Sequence, residues 1–122
     1  MLRALILDEN ALIRELLSEW LAEAGYRVGA AAHVGALPPA LTEEVDVVLV
    51  DLPVLREGAQ AVIAPVRRAC ARARLVGLSS RLGASLPQRS GAARALGLDG
   101  LLAKTCTREE LLGLLARLGL AP

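Results

Sequence analysis

The run Val45–Asp51, VDVVLVD, constrains the fold more than any other stretch of this chain. It is nearly all Val and Leu. A surface strand alternates apolar and polar residues; a run like this reads as a strand over Val45–Val50 covered on both faces, as in a parallel sheet. Four more β-like runs accompany it, Leu2–Leu7, Tyr26–Ala31, Leu75–Leu78 and Gly100–Ala103.

Helical patterns lie between the strands. NALIRELLSEWLAEAG places apolar residues at 12, 13, 16, 17, 20, 21 and 24, a helical stripe. Asn10 suits its N-cap, and Gly25 suits a left-handed end. EGAQAVIAPVRRACARA predicts another helix, with Pro65 expected to kink or shorten it. TREELL carries Thr107 and Glu110 at capping-box spacing, ahead of an inner stripe of Leu111, Leu114, Leu115 and Leu118. VGALPPALTEE predicts a short helix starting near its prolines. SRLGASLPQRSGAARALG predicts a long loop, then a short helix near Gln88–Leu96. This alternation is (βα)5, an α/β open parallel sheet with helices on both faces, reached by right-handed crossovers.

The 122 residues fit one domain, 1–122, with a core of Leu, Val, Ile and Ala, because Phe is absent and Trp and Tyr occur once each. Lys and Arg number 14 against 13 Asp and Glu, so overall charge makes no case for nucleic acid or a membrane surface. No apolar run is long enough to span a membrane. Asp8, Glu9 and Arg14 interrupt any signal-peptide core. Cys70 and Cys106 match no metal spacing and read as reduced thiols, which predicts a cytoplasmic protein.

The polar residues fall at the strand ends. The first strand runs into Asp8 and Glu9, the third into Asp51, the fourth into Ser79 and Ser80, the fifth into Lys104. In an open parallel sheet, ligands bind beyond the carboxyl ends of strands, where the strand order switches. The doubly wound order 2-1-3-4-5, taken over from flavodoxin-like folds rather than derived from these residues, puts that switch between strands 1 and 3. Adjacent carboxylates at the mouth of an apolar core repel each other and are costly to desolvate. A hard divalent cation, Mg²⁺ beside phosphate, compensates them. A carboxylate can itself be a nucleophile and form an aspartyl phosphate. The phosphoryl oxygens then need a cation and hydrogen-bond donors, which Lys104, the Ser79 hydroxyl and the Ser80 N–H can supply.

With these residues in order, the chain resembles the receiver domain of two-component response regulators. LILDEN resembles the acidic pair after strand 1, VVLVDLP the phosphoacceptor strand, LVGLSS the hydroxyl-bearing end of strand 4, and GLDGLLAKTCTREELL the strand-5 lysine and its helix. The resemblance covers the whole chain. It implies that Asp51 accepts phosphate from a histidine kinase or phosphotransfer protein. It implies that Asp8, Glu9, Asp51 and the backbone carbonyl of Pro53 hold Mg²⁺. It also implies that Ser79 and Lys104 bind the phosphoryl oxygens and couple them to the helix 4–strand 5–helix 5 face. GLDGLLAKTCTREELL most resembles receivers that precede helix-turn-helix domains. DNA contact is therefore expected only through a C-terminal output domain, and the chain reads either as a cut receiver or as a single-domain regulator.

Four positions depart from the family pattern. Pro53 stands second and Gly58 seventh after Asp51, where the family has a Pro fourth and a Gly eighth. Leu101 replaces the strand-5 aromatic. Thr105 replaces the Pro after the lysine, so the Lys104–Thr105 bond is expected to be trans. The segment after strand 4 is rich in Gly and Pro. These departures motivate an alternative: a pseudo-receiver acting as a phosphorylation-independent interaction or dimerisation module. A stand-alone haloacid-dehalogenase-like hydrolase fits poorly, because Asn10 occupies the place of its second Asp. A dinucleotide enzyme lacks its G-x-G-x-x-G. Taken singly, His33 reads as a surface histidine, Trp20 as core, and Arg67, Arg68, Arg72 and Arg74 as a solvated helix face. Apolar residues on more than one side of the last helix, Leu112 and Leu118 among them, suit burial or a homodimer face.

Overall fold

The apolar runs become strands β1 (Arg3–Leu7), β2 (Arg27–Ala31), β3 (Val47–Asp51), β4 (Arg74–Ser79) and β5 (Gly100–Ala103). In the computed structural model, which describes residues 1–53, 58–80, 91–104 and 106–122, they form one parallel sheet in the order β2-β1-β3-β4-β5. This is the flavodoxin-like order. β1 and β3 are neighbours, with Leu7 opposite Val50.

Successive side chains on a strand point to opposite faces, so the period of two splits the core. On one face Leu5, Leu7, Val48, Val50, Leu75 and Leu101 pack with Ala59, Ile63 and Val66 of α2 (Ala59–Ala69) and Ala93 of α3 (Gly91–Ala95). On the other, Ala4, Ile6, Val47, Leu49, Val76 and Leu78 pack with Leu17 and Leu21 of α1 (Ala11–Glu23). The inner leucines of α4 (Arg108–Arg117) and Leu118 complete that layer. β3 is apolar throughout because helices cover both its faces. Gly77 on β4 sits where three leucines meet: an added Cβ would lie 2.7 Å from Leu52 and from Leu101, and 3.0 Å from Leu98.

The helix boundaries follow their caps. Asn10 Oδ1 accepts from the N–H groups of Leu12 and Ile13, and Gly25 takes φ 103° just past the end of α1. The Thr107–Glu110 capping box is formed in both directions. Pro65 does not end α2, which runs on to Ala69; the missing N–H leaves the Ala61 carbonyl without its helical donor, and Ala61 is exposed. Trp20 is half-buried against the α1/α4 core. Leu118 is buried there, and Leu112 packs on the same cluster.

One element differs from expectation. Residues 34–44 form two single 3-10 turns, Val34–Ala36 and Pro39–Leu41, instead of one short helix. Two consecutive prolines supply no N–H, and each pushes its predecessor out of the helical region. Leu37 and Pro38 are accordingly extended, at ψ 140° and 148°. The fourth and fifth helices of the expected (βα)5 are therefore α3 and α4. The expected loop after Ser80 and the Lys104–Thr105 bond lie outside the described residues, as does residues 54–57 of the loop after β3. Among the described residues no helix is long and apolar enough to cross a membrane.

Candidate functional site at the carboxyl ends of the strands

Asp8 directly follows β1 and Asp51 ends β3, so the pairing of those strands sets the two carboxylates side by side. Asp8 is 1% exposed. A tight local turn fixes it: its N–H donates to the Ala31 carbonyl, its Oδ1 accepts from the Asn10 N–H at 2.9 Å, and its own carbonyl accepts from the Arg14 guanidinium. The Asp8 turn thus feeds directly into the Asn10 cap of α1.

Lys104 comes from the other side. Its N–H donates to the Ser79 carbonyl at 2.9 Å, which extends the β4–β5 ladder by one step. From there the side chain reaches across β4, and Nζ donates to Asp51 Oδ1 at 3.0 Å and to Asp8 Oδ1 at 3.3 Å. Nζ also lies 3.1 Å from Asp8 Oδ2. That oxygen has no hydrogen-bond partner, so the contact is charge proximity without directed geometry. Burial acts to lower the Lys104 pKa. Hydrogen bonds to Asp51 and Asp8, together with their charges, outweigh it and raise the pKa above its ordinary value.

Ser79 is fully buried one residue beyond Leu78, the register partner of Asp51. Ser80 is exposed in the following turn. Glu9 and Pro53 are exposed, and with Asp51 and His33 they line a cavity of about 500 Å³ walled by Val62 and Val66. The structure therefore gathers Asp8, Asp51, Ser79 and Lys104 at one end of the sheet, with Glu9 and Pro53 on the Asp51 cavity. Arg14 was missed from sequence. It lies off the apolar α1 stripe, and nothing local marks its reach back to the Asp8 carbonyl.

Two carboxylates against one ammonium leave negative charge uncompensated, and Glu9 adds to it. Among the described residues no three His, Cys, Asp or Glu side chains already stand as a closed set of metal ligands. Asp8 and Asp51 are instead drawn to Lys104. The donors are nonetheless hard oxygens with an unsatisfied buried Asp8 Oδ2, a chemistry that fits a hard divalent cation.

The same arrangement of strands and helices occurs in solved response regulators. A response regulator from Burkholderia pseudomallei, solved with a phosphorylated aspartic acid, a calcium ion and citrate, matches with TM-score 0.71 and 28% identity. The match covers 94% of this chain and 66% of that one. The chemotaxis protein CheY4 of Vibrio cholerae matches with TM-score 0.73 and 26% identity, over 96% of this chain and 98% of that one. The chain is a CheY-like receiver domain of the response regulators. A CheX–CheY complex of Borrelia burgdorferi, solved with BeF3 and Mg²⁺, shares the receiver fold at TM-score 0.73 and 17% identity, over 97% of this chain and 89% of that one. No protein-family model and no curated protein sequence matches the chain. In this receiver the strand-5 position expected to carry an aromatic holds Leu101, fully buried in the α2/α3 core.

Proposed function

We propose that this receiver, a two-component signal receiver by its fold, accepts a phosphoryl group on Asp51 from the phosphohistidine of a histidine kinase or phosphotransfer protein. An Asp51 carboxylate oxygen attacks phosphorus. The phosphorus–nitrogen bond breaks, its electron pair leaves on the imidazole, and the imidazole takes a proton from solvent. Lys104 is held on Asp51 by the 3.0 Å contact, so its ammonium is already placed where phosphoryl charge develops. That contact is the observation that carries the reading. The Ser79 hydroxyl and the Ser80 N–H complete the donors. Asp8, Glu9, Asp51 and the Pro53 carbonyl would hold Mg²⁺, which when bound supplies neutralisation of the clustered negative charge. The buried Asp8 Oδ2, which lacks a hydrogen bond, supports this assignment.

Coupling then runs from Lys104 and Ser79 into β4, β5, α3 and α4. With Leu101 buried in place of an aromatic, a rotating strand-5 ring has no part in it. Residues 1–122 act as one receiver unit, and any DNA contact belongs to a separate output domain. The test is ¹⁵N NMR of the protein titrated with beryllofluoride and Mg²⁺, with Asp51→Asn as control. Shifts at Ser79, Ser80 and Lys104 that the variant lacks support the reading. Their absence at saturation favours the second reading, a phosphorylation-independent interaction or dimerisation module, which Leu101 and the Pro53/Gly58 spacing support.

A further inference from the structure

The near-zero net charge conceals a strong asymmetry. Residues 58–98 contain seven arginines, half of the 14 Lys and Arg, and no Asp or Glu. Among the described arginines of that stretch, only Arg74 has a carboxylate within ion-pair reach, Asp99 at 3.9 Å. Arg67, Arg68 and Arg94 have none, and all three line a single cleft of about 510 Å³ between α2 and α3. Like charges do not gather in one concavity without cost, so the cluster points to an anionic occupant.

The cleft is held in shape from both sides. Arg67 Nη2 donates to the Gly97 carbonyl at 2.7 Å, and Gln60 Nε2 donates to the Leu96 carbonyl at 3.2 Å, tying α2 to the end of α3. Arg67 is thereby oriented with further N–H donors to spare. Arg68 and Arg94 make no hydrogen bond or ion pair among the described residues, so their forks are uncommitted. Ile63, Ala64 and Leu96 give the same cleft an apolar wall.

We propose that the α2–α3 cleft binds a small molecule carrying adjacent phosphates, with Arg67, Arg68 and Arg94 on the phosphate oxygens. Guanidinium forks match phosphate geometry, and three of them match the charge of a di- or triphosphate better than a single phosphate. The volume suits a small ligand and is too small for a duplex. Single-stranded nucleic acid is disfavoured as well, because the cleft has no aromatic ring on which bases could stack. The site lies on the α2/α3 side of the sheet and does not depend on the Asp51 reading.

The test is calorimetry and ¹⁵N NMR of the whole chain in EDTA, which keeps divalent metal from the Asp8–Asp51 site. The probes are pyrophosphate, ATP and ribose 5-phosphate. Pyrophosphate and ATP are expected to bind and ribose 5-phosphate to bind much more weakly. Tighter binding of ATP identifies a nucleotide, and equal binding of pyrophosphate identifies a free polyphosphate. Arg68→Gln and Arg94→Gln, which disturb no contact of the fold, should each weaken binding about tenfold or more. Arg27→Gln, on exposed β2, should leave it unchanged. No binding at about 1 mM ligand, an equal loss in Arg27→Gln, or tighter binding of duplex DNA than of ATP overturns the proposal.

Discussion

Lys104 Nζ stands 3.0 Å from Asp51 Oδ1 although the two residues are 53 positions apart and lie at the ends of β5 and β3, strands that do not touch. The same ammonium lies 3.1 Å from Asp8 Oδ2. Removing it leaves a nearly fully buried carboxylate beside a second one with no cation between them. Lys104→Met should therefore destabilise the domain by about 1–3 kcal/mol at neutral pH. Asp8→Asn in the same protein should restore part of that loss, and a double-mutant cycle by urea unfolding measures the coupling.

The raised pKa of Lys104 also fixes a pH dependence. The folded state holds the Lys104 proton more tightly than the unfolded chain does. Its contribution is complete below the unfolded value near pH 10.4 and is lost as pH rises through the higher folded value. Stability should therefore fall in the alkaline range, and Lys104→Met should lack that component. The comparison is of unfolding midpoints between pH 8 and pH 11, roughly the range that brackets a lysine titration.

Mg²⁺ should raise the melting temperature in a saturable way, because an ion that binds only the folded state stabilises it by mass action. Asp8→Asn, which removes the buried oxygen lacking a hydrogen bond, should reduce the shift. NaCl at matched ionic strength should not reproduce it.

Much of this was legible in the sequence, for definite reasons. Val45–Val50 announced a doubly covered strand because an apolar run has few other homes. Asn10, Gly25, Thr107 and Glu110 marked helix ends because capping is local chemistry, and all four hold in the structure. In the 34–44 segment, prolines suit a helix start, which is why a short helix is expected there; the structure has two 3-10 turns instead, because the two consecutive prolines hold Leu37 and Pro38 extended. Placing Asp8, Asp51, Ser79 and Lys104 at strand ends required only strand boundaries and order. The reach of Lys104 across β4, and of Arg14 back to the Asp8 carbonyl, depends on tertiary geometry that no spacing encodes.

The packing at Gly77 gives a prediction independent of the site. Any side chain there must displace Leu52, Leu98 and Leu101, all buried. Gly77→Ala should cost about 1–3 kcal/mol by overpacking, measured by denaturant unfolding. A smaller second change at Leu98 or Leu101, such as Leu101→Val, should recover part of it.

The most direct measurement of the central claim is intact mass after incubation with acetyl phosphate and Mg²⁺, alongside Asp51→Asn and Lys104→Met. The gain of one phosphoryl group by the native chain, absent in Asp51→Asn and diminished in Lys104→Met, is the expected result. A native chain that gains none, or an Asp51→Asn variant that gains as much, contradicts the assignment of Asp51 as phosphoacceptor.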